Sequence, residues 1–123
     1  MSKGRLRHSL SAWANSATQE AKDLRDAYAT KDVTTIAASP DREIVRLRGS
    51  IRTVTLRPRG GVPALEAELF DGSGVITLVW LGRRRIAGIN PGTSLQVQGR
   101  IGRHDGTRVL YNPRYELIPG PTA

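Results

Sequence analysis

The chain has 123 residues, 38% of them hydrophobic, and no cysteine, which suits one domain with a modest core and excludes disulfides and thiolate metal sites. It carries 19 basic against 11 acidic side chains, a formal net charge of +8, and no apolar run long enough to span a membrane as a helix. Only Lys3, Lys22 and Lys31 are lysines; the other basic residues are arginines, whose planar fork fits phosphates and stacks on flat rings, so a polyanionic partner is indicated.

The opening segment, MSKGRLRH, is basic and without periodicity. It is expected to be a loose arm over residues 1–8, and with no apolar export segment the expected location is the cytoplasm. A helical stripe follows: Leu10, Trp13, Ala14, Ala17, Ala21, Leu24 and Tyr28 recur at spacings of three and four. Ser16 and Gln19 have the spacing of a capping box, which would start the helix there. Being rich in alanine, the stripe buries little area and needs a surface, either the rest of the chain or a second copy. Lys31 to Arg42 reads as a connector with a short extended piece at Thr34–Ala37, so residues 9–42 form one appended unit.

A strand-rich unit spans residues 43–118. In its first strand Val45, Leu47 and Ile51 share one phase, while Arg46, Arg48, Ser50 and Arg52 hold the other. After Arg52 the phase slips to Val54 and Leu56, as a β-bulge would cause. Pro58-Arg59-Gly60-Gly61 turns the chain into a second strand, in which Leu65, Ala67 and Leu69 alternate with Glu66, Glu68 and Phe70. Asp71-Gly72-Ser73-Gly74 supplies a hairpin turn, and Val75 to Leu81 a third, apolar strand. Gly82 to Ile89 has helical composition over about two turns and stops at Asn90-Pro91-Gly92. The fourth strand alternates Leu95, Val97, Gly99 and Ile101 against Gln96, Gln98 and Arg100. Asp105-Gly106 makes another hairpin, and a fifth strand runs from Thr107 to Leu117, interrupted at Pro113. Residues 119–123 are a tail. Three strands, a short helix and two strands describe an all-β, five-stranded Greek-key barrel of the OB-fold type, with the N-terminal helix covering one open end.

The run TLRPRGGVPALEAELFDGSGVITLVWLGRRRIAGINPG, with NPRYEL after the last strand, resembles the actinobacterial family of small stand-alone OB-fold nucleic-acid-binding proteins. More distantly, DGSGVITLVWL and NPRYEL are similar to the wedge domain of the RecG branched-DNA helicase, within the anticodon-binding OB class. The resemblance implies the fold and DNA or RNA binding, without helicase activity, since no Walker A sequence occurs. The wedge domain stacks bases on aromatic side chains just after its third strand. Leu81 and Arg85 fall at those places here, with Trp80 beside them, which argues against splitting of a fork.

OB-folds that hold single strands combine a basic groove with flat side chains. The phosphate candidates are Arg57 and Arg59 in the first loop, the run Arg83-Arg84-Arg85 after strand three, then Arg46, Arg48 and Arg52 on the outer phase of strand one, and Arg100, Arg103 and Arg108 around the last hairpin, with His104 at its tip. Trp80, Tyr111 and Tyr115 are the stacking candidates. Trp80 shares phase with Ile76 and Leu78, so it is either a core residue or a platform, and Val75, Val79 and Leu81 would then form an apolar outer strip. Glu66 and Glu68 oppose the scheme, because they lie on the face that should bind; their simplest partners are Arg46, Arg48 or Arg52 on the adjacent strand. Catalysis finds no constellation: His104-Asp105 fits a turn, His8 lies in the arm, and Ser73 has no base placed beside it. The expected role is therefore non-enzymatic and cofactor-free, with phosphate contacts to single-stranded or branched nucleic acid and little sequence preference. The alternative is a protein-interaction or dimerisation module using the outer strip and the N-terminal helix.

Overall fold

A computed structural model describes residues 16–28 and 32–120. The expected arm and the early stripe residues Leu10, Trp13 and Ala14 lie outside the described residues, as does the end of the tail. Six strands appear in the order β1 (Ile44–Leu56), β2 (Ala64–Phe70), β3 (Val75–Leu81), β4 (Ser94–His104), β5 (Thr107–Tyr111) and β6 (Arg114–Leu117). They hydrogen-bond in the order β1-β2-β3-β5-β4-β6, and β1 also pairs with β4, so the sheet closes into a ring. All pairings are antiparallel except the β3–β5 seam, where Thr77, Leu78 and Val79 lie beside Val109, Leu110 and Tyr111. This is the Greek-key barrel of an OB-fold, as the strand order predicts.

β1 serves two partners because it bends. Its first half pairs with β4, from Ile44 opposite Arg100 to Ser50 opposite Ser94. Its second half pairs with β2, and the register shifts between Ile51 and Val54. The bulge therefore falls where the apolar phase slips in the sequence. Gly49 sits just before it, where a Cβ would come within 2.7 Å of the Phe70 carbonyl oxygen. The inward phases of β1 to β5 meet in one core that includes Leu47, Leu69, Leu78, Trp80, Leu95, Val97 and Leu110, while β6 is exposed throughout.

Three local readings change. No helix forms between β3 and β4; residues 82–93 are turns and irregular chain. Gly82 and Gly88 adopt φ of 76° and 84°, left-handed values that interrupt a right-handed helix, and Pro91 lacks a donor. Ile86 and Ile89 are nevertheless buried, joined by a hydrogen bond from Ile89 N to Ile86 O of 3.1 Å, so the segment plugs the barrel without being helical. The fifth predicted strand is two strands, β5 and β6. Buried Pro113 ends the first, and the chain resumes pairing with β4 from Arg114. The piece at Thr34–Ala37 is extended only in its first part: residues 36–38 turn, with Ser39 N bonded to Ile36 O and Ala38 N to Thr35 Oγ1.

The helix α1 (residues 16–28) lies on the barrel. Ala21 and Leu24 are half-buried and Tyr28 is buried, its hydroxyl 2.7 Å from Ser94 Oγ. Ser16 is already helical, and the Gln19 amide donates to Asp23 Oδ1 at 2.8 Å, so these two residues do not form the expected capping box. The turn between β2 and β3 is the docking point for α1. Asp71, buried, accepts from Ser73 N, Ser73 Oγ and Gly74 N through Oδ1, and from Ile36 N through Oδ2 at 2.9 Å. Gly72, at φ of 89°, presses so closely on the Ala21 carbonyl and Arg25 N of α1 that a Cβ has no room.

Candidate nucleic-acid interface

The register defines the outer face on which OB-folds hold nucleic acid. Thr55, Glu66, Val79 and Tyr111 form one row across β1, β2, β3 and β5; Glu68, Thr77 and Val109 form the next. Phe70 and Val75 are paired beyond them. The β1–β2 loop, residues 57–63, and the β4–β5 turn flank this surface. A hollow of about 400 Å³ between them is lined by Arg57, Arg59, Glu66, Thr77, His104 and Val109, among others. The turn itself is the predicted Asp-Gly hairpin, with Asp105 at φ 51° and Gly106 at φ 79°.

Charge on this face is largely spent internally. The Arg59 guanidinium donates to Glu66 Oε1 through both Nε and Nη2, and its Nη1 lies 3.4 Å from the Tyr111 hydroxyl. The hydrogen bond to Glu66 raises the Arg59 pKa above its ordinary value. Arg59 also sits 5.8 Å from the centroid of the Tyr111 ring. Because Glu66 and Tyr111 flank Val79 in register, the arginine that joins them spans β3. Val79 is fully buried, with Ala64 and Val109. The expected apolar strip of Val75, Val79 and Leu81 is therefore broken at its middle residue. With Ala21, Leu24 and Tyr28 of α1 turned onto the barrel, the surface expected for a protein-interaction or dimerisation module is not continuous among the described residues.

The expected cross-strand pairs with Glu66 and Glu68 do not form. Arg46 and Arg48 lie on the half of β1 that pairs with β4, opposite Gln98 and Gln96. Arg57 is 3.8 Å from Glu66, Glu68 accepts from Thr53 Oγ1 at 2.7 Å, and Arg52 covers the Phe70 ring at 3.8 Å from its centroid. Counting Arg52, Arg57 and Arg59 against Glu66, Glu68 and Asp105, the groove is formally neutral.

The remaining candidates divide by end of the barrel. Arg83, Arg84 and Arg85 are all exposed and have no ion pair among the described residues. They leave β3 at Gly82, whose N–H bonds to Pro63 O at 2.7 Å, so they share an end with the β1–β2 loop. Tyr111 and Tyr115, 40% and 41% exposed, also lie toward this end: Asn112 Oδ1 accepts from Leu81 N at 2.9 Å. Arg100, Arg103 and Arg108 instead hold residues 39–42. Arg100 donates to Arg42 O at 2.6 Å, Arg103 to Asp41 Oδ2 at 2.8 Å and Gly106 O at 3.0 Å, and Arg108 to Ser39 O at 3.0 Å. These three guanidiniums are thus each hydrogen-bonded within the chain, unlike the run Arg83-Arg84-Arg85.

Trp80 is corrected as a stacking platform. It is 5% exposed, its Nε1 donates to Pro113 O at 3.2 Å, and its ring meets Tyr115 edge-on at 5.8 Å and 79°. Leu81 and Arg85, which occupy the wedge-like aromatic places, are both exposed. Phe70, absent from the expected stacking residues, is a further flat side chain on this face, in the outward phase of Glu66 and Glu68 and covered by Arg52.

No family model matches the chain, and comparison with the curated proteins gives no match. Solved structures share its fold, among them two complexes with DNA. One, a Replication Protein A heterotrimer bound to ssDNA, aligns with a TM-score of 0.50 at 11% identity over 74% of this chain and 69% of that chain. The other, RecG bound to a three-way DNA junction, aligns with a TM-score of 0.59 at 19% identity over 80% of this chain. The match spans 14% of the RecG chain. At these identities the likeness establishes the barrel as an OB-fold.

Proposed function

We propose that the protein is a non-enzymatic nucleic-acid-binding module of the cytoplasm. It contacts the phosphates of single-stranded or branched DNA or RNA, with little sequence preference, in the manner implied by its resemblance to the actinobacterial stand-alone OB-fold family. The observation that carries this reading is the exposed run Arg83-Arg84-Arg85, without an ion pair among the described residues, at one end of an OB barrel. Three adjacent like charges repel one another, and an anion relieves that repulsion. Arg57, exposed on the loop at the same end, extends the basic rim. Tyr111 and Tyr115 offer partly exposed rings there for base stacking, with Arg52 and Phe70 beside the groove. That the two structural neighbours are described in complexes with ssDNA and with a three-way DNA junction supports the same reading.

Fluorescence anisotropy of a labelled 20-nucleotide strand, at several salt concentrations, tests it. Contact with roughly four phosphates gives a log–log salt slope of about −3. Tight binding that ignores salt would refute a phosphate-dominated mode. The triple variant Arg83→Ala, Arg84→Ala, Arg85→Ala is expected to weaken all sequences alike, by about tenfold or more, and to flatten the slope by about 2. Unchanged affinity would remove this run from the site.

A further inference from the structure

A second charged surface lies around the barrel from the groove, on the outer face of β1, β4 and β6. Val45, Leu47 and Val97 point into the core, so the alternate residues of these strands face out. The register sets Arg46 beside Gln98 and Gln98 beside Arg114. The adjacent row is Arg48, Gln96 and Glu116, and Arg100 follows opposite Ile44. Stability alone would favour a carboxylate opposite each strand arginine. Glutamine stands at both positions instead: Arg48 Nε donates to Gln96 Oε1 at 2.7 Å, a bond that leaves its charge uncompensated.

Arg46 and Arg114 are exposed and have no ion pair among the described residues. The nearby carboxylates are Glu116 on the face itself and Asp32, which lines a hollow of about 370 Å³ with Arg46 and Gln98. With Arg100 held by the Arg42 carbonyl, three arginines, Arg46, Arg48 and Arg114, thus face two carboxylates, whereas the groove sets three against three. Two interstrand spacings place the Arg46 and Arg114 backbones about 10 Å apart, with the Gln98 amide between them. Two forked cations separated by a neutral donor and acceptor suit a sugar–phosphate backbone lying across the strands, its charge on the arginines and its sugar or base edges toward the amide.

We infer that the β1–β4–β6 face is a second phosphate-binding surface, which holds a separate segment of nucleic-acid backbone while the Arg83–Arg85 end holds the first. This rests on the nucleic-acid reading above and adds to it that one chain grips two strands at once. The test is the stoichiometry of an eight-nucleotide thymidine strand, too short to serve both surfaces, measured by native mass spectrometry and calorimetry at low salt. The intact protein is expected to take two strands per chain. The variant Arg46→Gln, Arg114→Gln takes one, as does the Arg83→Gln, Arg84→Gln, Arg85→Gln variant, and circular dichroism confirms that both remain folded. A single strand per intact chain, or two still bound by Arg46→Gln, Arg114→Gln, overturns the second surface and leaves the first standing. No binding at all overturns both. A face that takes polyglutamate and not the thymidine strand is a surface for acidic protein, which also overturns the inference.

Discussion

Glu66 governs how much of the first loop's charge faces outward. It engages Arg59 by two hydrogen bonds and lies near Arg57, so it cancels positive potential beside the groove. Removing its charge in Glu66→Gln releases Arg59 to reach a phosphate. Strand affinity is expected to rise about three- to tenfold at low salt, while stability falls by no more than about 1 kcal/mol, the usual worth of such a pair. Anisotropy and urea titration of the same variant read both quantities; a loss of affinity would make Glu66 part of the binding surface. Burial at this scale was legible in part: phase alone sets Leu65, Ala67 and Leu69 to one side and groups Trp80 with Ile76 and Leu78, yet it leaves Trp80 open between core and platform, which its contacts with Pro113 and Tyr115 decide. Partnership was not legible. Arg46 and Glu66 lie on consecutive strands, yet the bend in β1 gives Arg46 to β4, and a period-two pattern carries no record of which strand lies alongside.

The β2–β3 turn shows how an element can be predicted correctly and its task missed. Asp-Gly before a second glycine marks a hairpin, and one forms. Its aspartate, however, also receives Ile36 N from the connector, and its glycine bears on α1. Those contacts join segments more than thirty residues apart, beyond any local pattern. Asp71→Ala strands several amide donors, one of them buried with Ile36. It is expected to destabilise the fold by about 2–4 kcal/mol, given roughly 1–3 for each unsatisfied buried group. Urea denaturation measures the loss, and protection of the Ile36 amide from hydrogen exchange should fall with it. A variant as stable as the parent would mean that Ser73 and Gly74 alone maintain the turn. The segment between β3 and β4 failed as a helix for a related reason: burial of Ile86 and Ile89 needs only a turn, and Gly88 at φ 84° rules out the continuous helix that composition suggests.

At the scale of the whole molecule, +4 of the net +8 comes from Lys3, Arg5, Arg7 and Lys31, outside the described residues. The described arginines have three destinations: some are paired in the groove, some fasten residues 39–42 to the β4–β5 end, and those on the β3–β4 segment and the β1–β4–β6 face have no ion pair among the described residues. The sum was plain from composition; its apportioning required the closed barrel. The fastening group makes a clear contrast with the free one. Arg103→Ala, Arg108→Ala together are expected to lower stability by about 1–2 kcal/mol through lost hydrogen bonds while leaving strand affinity within twofold. A large loss of affinity without loss of stability would return these two residues to the interface. The β3–β5 seam has a further effect during synthesis on the ribosome. The cylinder cannot be sealed until Val109 to Tyr111 have emerged, so a nascent chain that has made both earlier hairpins still shows the bare edge of β3. The interval between emergence of Leu81 and of Tyr111 is when this molecule is most open to strand-to-strand pairing with its neighbours on the same messenger.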